Sequence, residues 1–211
     1  MARAVWNDVG ARLYHIGVDR GMLYTSLSSV PWSGLVSVTE SPSGGDVTPY
    51  YLDGQKILNI AAGEDFNCSI QTFAAPVEFA PCAGWLVLSP ALYATDQPKE
   101  TFGFSYRTIV GNDQSGSDFA YRVHLVYNAL AQTSDFSHET ITESVSPKTH
   151  SWNITTSPVT IPGYRPTAHF VFDTRKNSAD VMTALEDILY GNDTTGPRLP
   201  ATSELVALLA S

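Results

Sequence analysis

Cysteine is scarce in this chain: among 211 residues there are two, Cys68 and Cys82. Two cysteines build no disulfide framework, and their spacing fits no zinc pattern. Free cysteine is among the most buried residue types, so both are expected in the core as thiols. Bases are scarce as well, with 12 Lys and Arg against 21 Asp and Glu and a formal charge of −9. Gripping a phosphate backbone takes clustered Lys and Arg, so direct affinity for nucleic acid is disfavoured. No apolar run approaches the length that crosses a bilayer. The opening MARAVWNDVG has no apolar core after its positive charge, so no Sec export signal is expected. Without export, the sequons at Asn67, Asn153 and Asn192 carry no meaning.

Enzyme signatures are absent too. There is no G-x-S-x-G elbow, P-loop or G-x-G-x-x-G. His15, His124 and His169 fall within strand patterns, and His138 and His150 lie near strand ends. No two have the helical i, i+4 spacing of a zincin, so they read as histidines satisfied by ordinary hydrogen bonds. An acidic β-protein offers chance carboxylate pairs, and none stands out as a glycosidase pair. No catalytic residue, cofactor or metal is expected, and the chain reads as a non-enzyme.

What the chain does have is β pattern. Short segments rich in Val, Ile, Thr, Tyr and Phe alternate with clusters of Gly, Pro, Ser and Asp. Strands are expected at Arg12 to Val18, Met22 to Tyr24, Leu35 to Thr39, Gln55 to Ile60 and Asn67 to Phe73. Further strands are expected at Thr101 to Ile109, Tyr121 to Ala131, His138 to Val145, His150 to Thr155 and His169 to Asp173. Such spacing predicts a mainly β sandwich or barrel. The helical signal is confined to the end. Ser178 can cap a helix over about 178–190 with the apolar stripe Val181, Leu185, Ile188 and Leu189, and Gly191 stops it. A short helix is predicted from Ser203 to Leu209 within the C-terminal segment 191–211. With no linker or repeat, 1–211 reads as one domain. Ser89 to Pro98 reads as a loop.

The densest stretch is Phe102 to Asn128, FGFSYRTIVGNDQSGSDFAYRVHLVYN. Phe102, Phe104 and Tyr106 alternate, as do Tyr121, Val123, Leu125 and Tyr127, which is the period of strands with one buried face. Between them, Asn112 to Asp118 has turn chemistry. Its oxygens also suit calcium, although EF-hand order is missing and a solvated turn is the simpler reading. Arg107 and Arg122 each follow a tyrosine and so point away from it. They read either as a solvent-facing edge or as forks for a neighbouring subunit's carboxylate. The loop Glu40 to Tyr51 carries two Pro and two Gly, which exclude regular structure on this reading. It ends in Tyr50, Tyr51 and Leu52, and tyrosines in a polar loop suit a contact between subunits.

These segments together resemble a known family. YRTIVGND and YRVHLVYNA, with YHIGVDRGMLY, VPWSGLVSVTE and YYLDGQKIL before them, are similar to the major tail protein of long non-contractile bacteriophage tails. HSWNITTSPV, RPTAHFVFDT, LEDILYGN and LPATSELVALL follow in the family's order. The likeness covers nearly the whole chain and is nearest to the actinobacteriophage type. It implies a tail tube fold with a C-terminal helix and a long inter-strand loop. It also implies six-subunit rings stacked into a tube that conducts viral DNA without specific binding. Implied partners are further copies, a tape measure protein, and tail terminator and distal tail proteins. No membrane is implied; the place is the virion tail, assembled in the host cytoplasm. The loop, through Ser43, Gly44, Gly45, Asp46, Tyr50 and Tyr51, is then expected to reach the next ring, with Arg107 and Arg122 also at subunit contacts. Ser105, Arg107, Arg122 and His124 are expected to line the lumen. The spread of acid residues is either a soluble surface or a wall along which DNA slides. A different class stays open: a carbohydrate-binding β-sandwich using four Trp and ten Tyr as stacking platforms.

Overall fold

The computed structural model describes residues 3–89, 92–132, 136–138, 140 and 147–210. The first half holds β1 (Leu13–Tyr24), β2 (Ser29–Pro31), β3 (Leu35–Glu40), β4 (Ser43–Gly44), β5 (Val47–Leu52), β6 (Gln55–Ala61), β7 (Glu64–Asp65) and β8 (Asn67–Thr72). Next come β9 (Leu86–Ser89), β10 (Leu92–Ala94), β11 (Phe102–Asn112) and β12 (Gly116–Gln132). The chain ends with β13 (His150–Thr156), β14 (Val159–Ile161), β15 (Tyr164–Thr167), β16 (His169–Asp173), α1 (Ala179–Tyr190) and α2 (Thr202–Ala210). The fold is mainly β; among the described residues the α-helices lie at the C-terminal end, and a single 3-10 turn spans Val77–Phe79.

The main sheet runs β2-β1-β11-β12-β13-β8-β3, and β16 also pairs with β12. The β11–β12 hairpin is its spine. β12 is 17 residues long and serves two neighbours on one side: Arg122 to Val126 pair with β16, and Ala129 to Gln132 pair with β13. Between these spans Asn128 adopts φ 47°. Asn tolerates this left-handed conformation, and the resulting bulge reverses which face the following residues present. The strand thus passes from one half of the sheet into the other. The half formed by β13, β8 and β3 folds over the spine. Leu23, Ile70, Phe102, Phe104, Tyr106, Val126, Trp152 and Ile154 form the core between the halves. Trp32 anchors that core, with ring centroids 4.8 Å from Phe79 and 5.5 Å from Phe104. Its Nε1 donates to Thr72 Oγ1 at 3.3 Å, so the buried indole N–H is satisfied. Cys68 and Cys82 are buried free thiols, and burial pushes both up to about 12.

The opposite face of the spine is covered by the helices. Met22, Val123, Leu125, Tyr127 and Phe172 pack with Met182, Leu185, Leu189 and Leu205. Ser178 Oγ accepts from the Val181 N–H at 3.3 Å, and Gly191 at φ 79° ends α1. The buried stripe is Met182, Leu185 and Leu189, so Val181 and Ile188 lie at its margins. Two buried hydroxyls lock the helical end: Tyr24 donates to the Leu189 carbonyl at 3.0 Å and Tyr127 to the Pro200 carbonyl at 2.7 Å.

Several expectations are corrected. The two alternating series of the spine do not share a face. Phe104 lies opposite Val126 and Tyr106 opposite His124, whereas Ser105 lies opposite Leu125 and Arg107 opposite Val123. Phe102, Phe104 and Tyr106 therefore face the inter-sheet core, while Val123, Leu125 and Tyr127 face the helices. The segments Arg12 to Val18 and Met22 to Tyr24 are one strand, kinked by bulges at Gly17 (φ 65°) and at Arg20 (φ 48°). β9 and β10 pair antiparallel, so Leu92 to Ala94, expected in the loop Ser89 to Pro98, is a strand. The strand expected at His138 to Val145 lies largely outside the described residues.

Candidate functional site

The loop expected at Glu40 to Tyr51 is regular structure. A two-residue-deep stem, Ser43 opposite Asp65 and Gly44 opposite Glu64, carries a longer ribbon of β5 and β6. At the tip Asp53 and Gly54 have φ of 50° and 75°, which is the pattern of a type I′ hairpin turn. Pro49 is accommodated because a two-stranded ribbon leaves half its N–H positions facing outward, where none is needed. The Asp-Gly pair between β-rich flanks was the sequence signal for this hairpin. Ser43 and Gly44 lie in the stem, Gly45 and Asp46 at its upper end, and Tyr50 and Tyr51 on the ribbon.

Every residue from Asp46 to Asp65 is exposed. Six residues at about 3.3 Å each give the ribbon a reach of about 20 Å. It carries Val47, Tyr50, Tyr51, Leu52, Ile57, Leu58 and Ile60, all roughly half exposed or more. A free two-stranded ribbon is marginal in water, and a contiguous apolar surface of this kind marks a contact site.

Open edges form a second feature. β1, β11, β12 and β16 make a four-stranded antiparallel unit. β2 covers β1 only at Met22 to Tyr24. Among the described residues, no strand pairs with the outer edge of β1 from Leu13 to Arg20, nor with that of β16. Both ends of the unit therefore present unused backbone donors and acceptors. Leu13, Tyr14 and Ile16 on β1 and Val171 on β16 are exposed.

The four residues expected to line a lumen fall on two faces. Ser105 is fully buried under α1 and shares a hydrogen bond of 3.0 Å with Tyr24. Arg107, on the same face, grips Asp19 through both Nε and Nη2 and lies 4.7 Å over the Tyr121 ring. Arg122 and His124 lie on the other face. Arg122 Nε donates to Asp173 at 2.8 Å. Arg175 first and Arg122 second hold the Asp173 carboxyl well below the usual carboxylate range. Both spine arginines thus have carboxylate partners within their own subunit, so a neighbour's carboxylate would compete with those pairs. Ser105 cannot line any open surface of this chain.

His124 lies in a side-chain cluster that the sequence did not suggest. Its Nδ1 is 3.1 Å from His169 Nε2 and 3.3 Å from Glu40 Oε1. Tyr106 donates to the same Glu40 oxygen at 2.7 Å, and Thr108 Oγ1 lies 2.9 Å from His124 Nε2. Burial, then the neighbouring His169, lowers His124 to about 4 against the opposing pull of Glu40. The imidazole is therefore neutral at pH 7. The three residues come from β3, β12 and β16, so only the fold brings them together. A cleft of about 420 Å³ lined by His15, Glu40, Thr108, Arg122 and His124 opens beside them.

Two of the turn's side-chain oxygens are engaged within the chain. Asn112 Oδ1 accepts from the N–H groups of Gln114 and Ser115, and Asp113 Oδ1 accepts from the Gly10 N–H. Of the four tryptophans, Trp32 and Trp152 are core residues, which leaves Trp6 and Trp85 with exposed faces. No helix among the described residues is long and apolar enough to cross a membrane.

No family model matches the chain, and no curated protein matches it. Among solved structures it is similar to a chain of an extracellular contractile injection system, the PVC sheath–tube complex in its extended state. That likeness has a TM-score of 0.36 at 14% identity and covers 80% of this chain and 93% of the other. It is also similar to a chain of the six-fold symmetrised baseplate of the anti-feeding prophage (AFP). There the TM-score is 0.37 at 10% identity, covering 82% of this chain and 97% of the other.

Proposed function

We propose that this chain is a self-assembling tube subunit of a bacteriophage tail. The observation that carries the reading is the four-stranded unit with both outer edges open. Its strands alternate in direction, so the β1 edge of one copy can pair with the β16 edge of the next in antiparallel fashion. Such a head-to-tail interface is heterologous and closes into a ring when the rotation allows. The sequence resemblance implies six copies per ring. The ribbon of β5 and β6 then reaches an adjacent ring and buries its apolar side chains there, which gives stacking. The face carrying His15, Thr108 and Arg122 lines the lumen, because α1 and α2 already cover the other. DNA passes along a wall of an acidic protein without a basic patch to hold it.

Negative-stain electron microscopy across a concentration series tests this. Rings or hollow tubes are expected at high concentration. Charged edge variants, Ile16→Lys with Val171→Lys, should leave monomers with an unchanged melting temperature. Tubes that form equally well from those variants would overturn the edge-pairing reading.

A further inference from the structure

We propose that Glu40, His124 and His169 form a zinc site at the root of the ribbon. Three donor atoms of the right kinds converge: His124 Nδ1, His169 Nε2 and a Glu40 carboxylate oxygen lie within 4.8 Å of one another. Ligands bound tetrahedrally at 2.0–2.1 Å sit about 3.3 Å apart. Two of the separations, 3.1 Å between the imidazole nitrogens and 3.3 Å from His124 Nδ1 to Glu40, match that spacing, while the third, between His169 and Glu40, is wider and must close on binding. Two imidazoles and one carboxylate make a set that suits zinc and leaves a fourth position. The cleft beside His124 gives water access to it.

The outer partners are those a metal site needs. Thr108 Oγ1 meets the far nitrogen of His124 at 2.9 Å, so an Nε2–H donated to it leaves the Nδ1 lone pair for the ion. The Tyr106 hydroxyl holds the Glu40 carboxylate in place at 2.7 Å. The rings are fixed by stacking, His124 on Tyr106 at 4.5 Å and His169 on Phe66 at 4.1 Å between centroids.

The placement gives the ion a structural task. Glu40 is the last residue of β3, directly before the stem of the ribbon, while His169 opens the edge strand β16. A bound zinc ties the root of the ribbon to the open edge of the four-stranded unit. The site stands on the geometry of one subunit and does not depend on tube assembly.

The test uses the full chain without a histidine tag, stripped with chelator, incubated with zinc chloride and dialysed. Metal analysis should find one zinc per chain, and zinc should raise the melting temperature. Glu40→Gln and His169→Gln, checked for folding by circular dichroism, should lose the retained zinc. Thr108→Val keeps all three ligands and should weaken binding by about tenfold or more. X-ray absorption on the zinc-loaded native chain should count two imidazoles with oxygen ligands, and this holds even if a variant misfolds. No retained zinc, equal retention by His169→Gln, or sulfur ligands in the absorption spectrum would each overturn the site.

Discussion

Two hairpins of this protein share one construction and have opposite fates. Over Phe102–Tyr106 and Val123–Tyr127 of the β11–β12 spine, both faces are buried: Phe104 and Tyr106 under the folded-over half-sheet, and Ser105 and Leu125 under the helices. In the β5–β6 ribbon, both faces are in water. The turn at the tip of the ribbon is as well formed as any, yet turn chemistry sets register and not stability. What the spine obtains from its own chain, the ribbon obtains, on the tube reading, from another. The side chains agree: the ribbon carries Tyr50, Tyr51, Leu52, Ile57 and Leu58 where a solvent-adapted hairpin would carry charge.

The comparison can be broken at the spine first. Phe104→Ala removes a fully buried ring and should cost about 3–5 kcal/mol, read as a lost or strongly lowered denaturant midpoint. Acid should act on the spine as well. Because His124 is lowered in the fold to about 4, the unfolded chain binds the extra proton first. Stability is therefore complete above about pH 6.5 and falls as the pH drops towards 4. The groups facing that imidazole are His169, Glu40, Arg122, His15, Tyr106 and Thr108. His124→Gln should flatten the acid limb of a melting-temperature profile.

Smaller effects sharpen the contrast at the ribbon. Gly44 in its stem has φ 84°, and an added Cβ would meet the Gly63 carbonyl oxygen at 2.5 Å. Gly44→Ala should cost about 1–2 kcal/mol locally, seen as faster hydrogen exchange in 43–65 while the spine stays protected. Tyr51→Ser with Leu52→Ser should change subunit stability by less than about 0.5 kcal/mol. On the tube reading the same pair abolishes stacking, so rings without tubes are expected in micrographs. A large drop in subunit stability would instead show that the ribbon packs on its own chain.

Much of the fold was legible because periodicity reports burial. His169 to Asp173, Gln55 to Ile60 and the capped α1 needed only local pattern and cap chemistry. Three things were not legible. The facing of the two spine series depends on cross-strand register, which sequence alternation within each strand does not contain. The ribbon's first strand, and so its pairing with Gln55 to Ile60, was missed because Pro49 and two glycines outweighed the Asp53-Gly54 turn signal. The Glu40–His124–His169 cluster joins residues far apart in sequence, and each looks ordinary in its own strand. Arg107 and Arg122 were correctly placed opposite their preceding tyrosines, but their partners, Asp19 and Asp173, come from other strands.

The edge-to-edge unit has an even number of strands, β1, β11, β12 and β16. Parity then has a geometric consequence. On the tube reading, an even count means that each added copy begins in the direction its neighbour's last strand requires, so the hydrogen-bond pattern repeats without conflict around a ring of any size. Backbone pairing alone selects no symmetry. The number of copies is left to curvature: the twist of the sheet, the kinks at Gly17 and Arg20 along one edge, and the angle at which that edge meets β16. Changing those bulges should alter ring diameter before it alters the ability to form a ring.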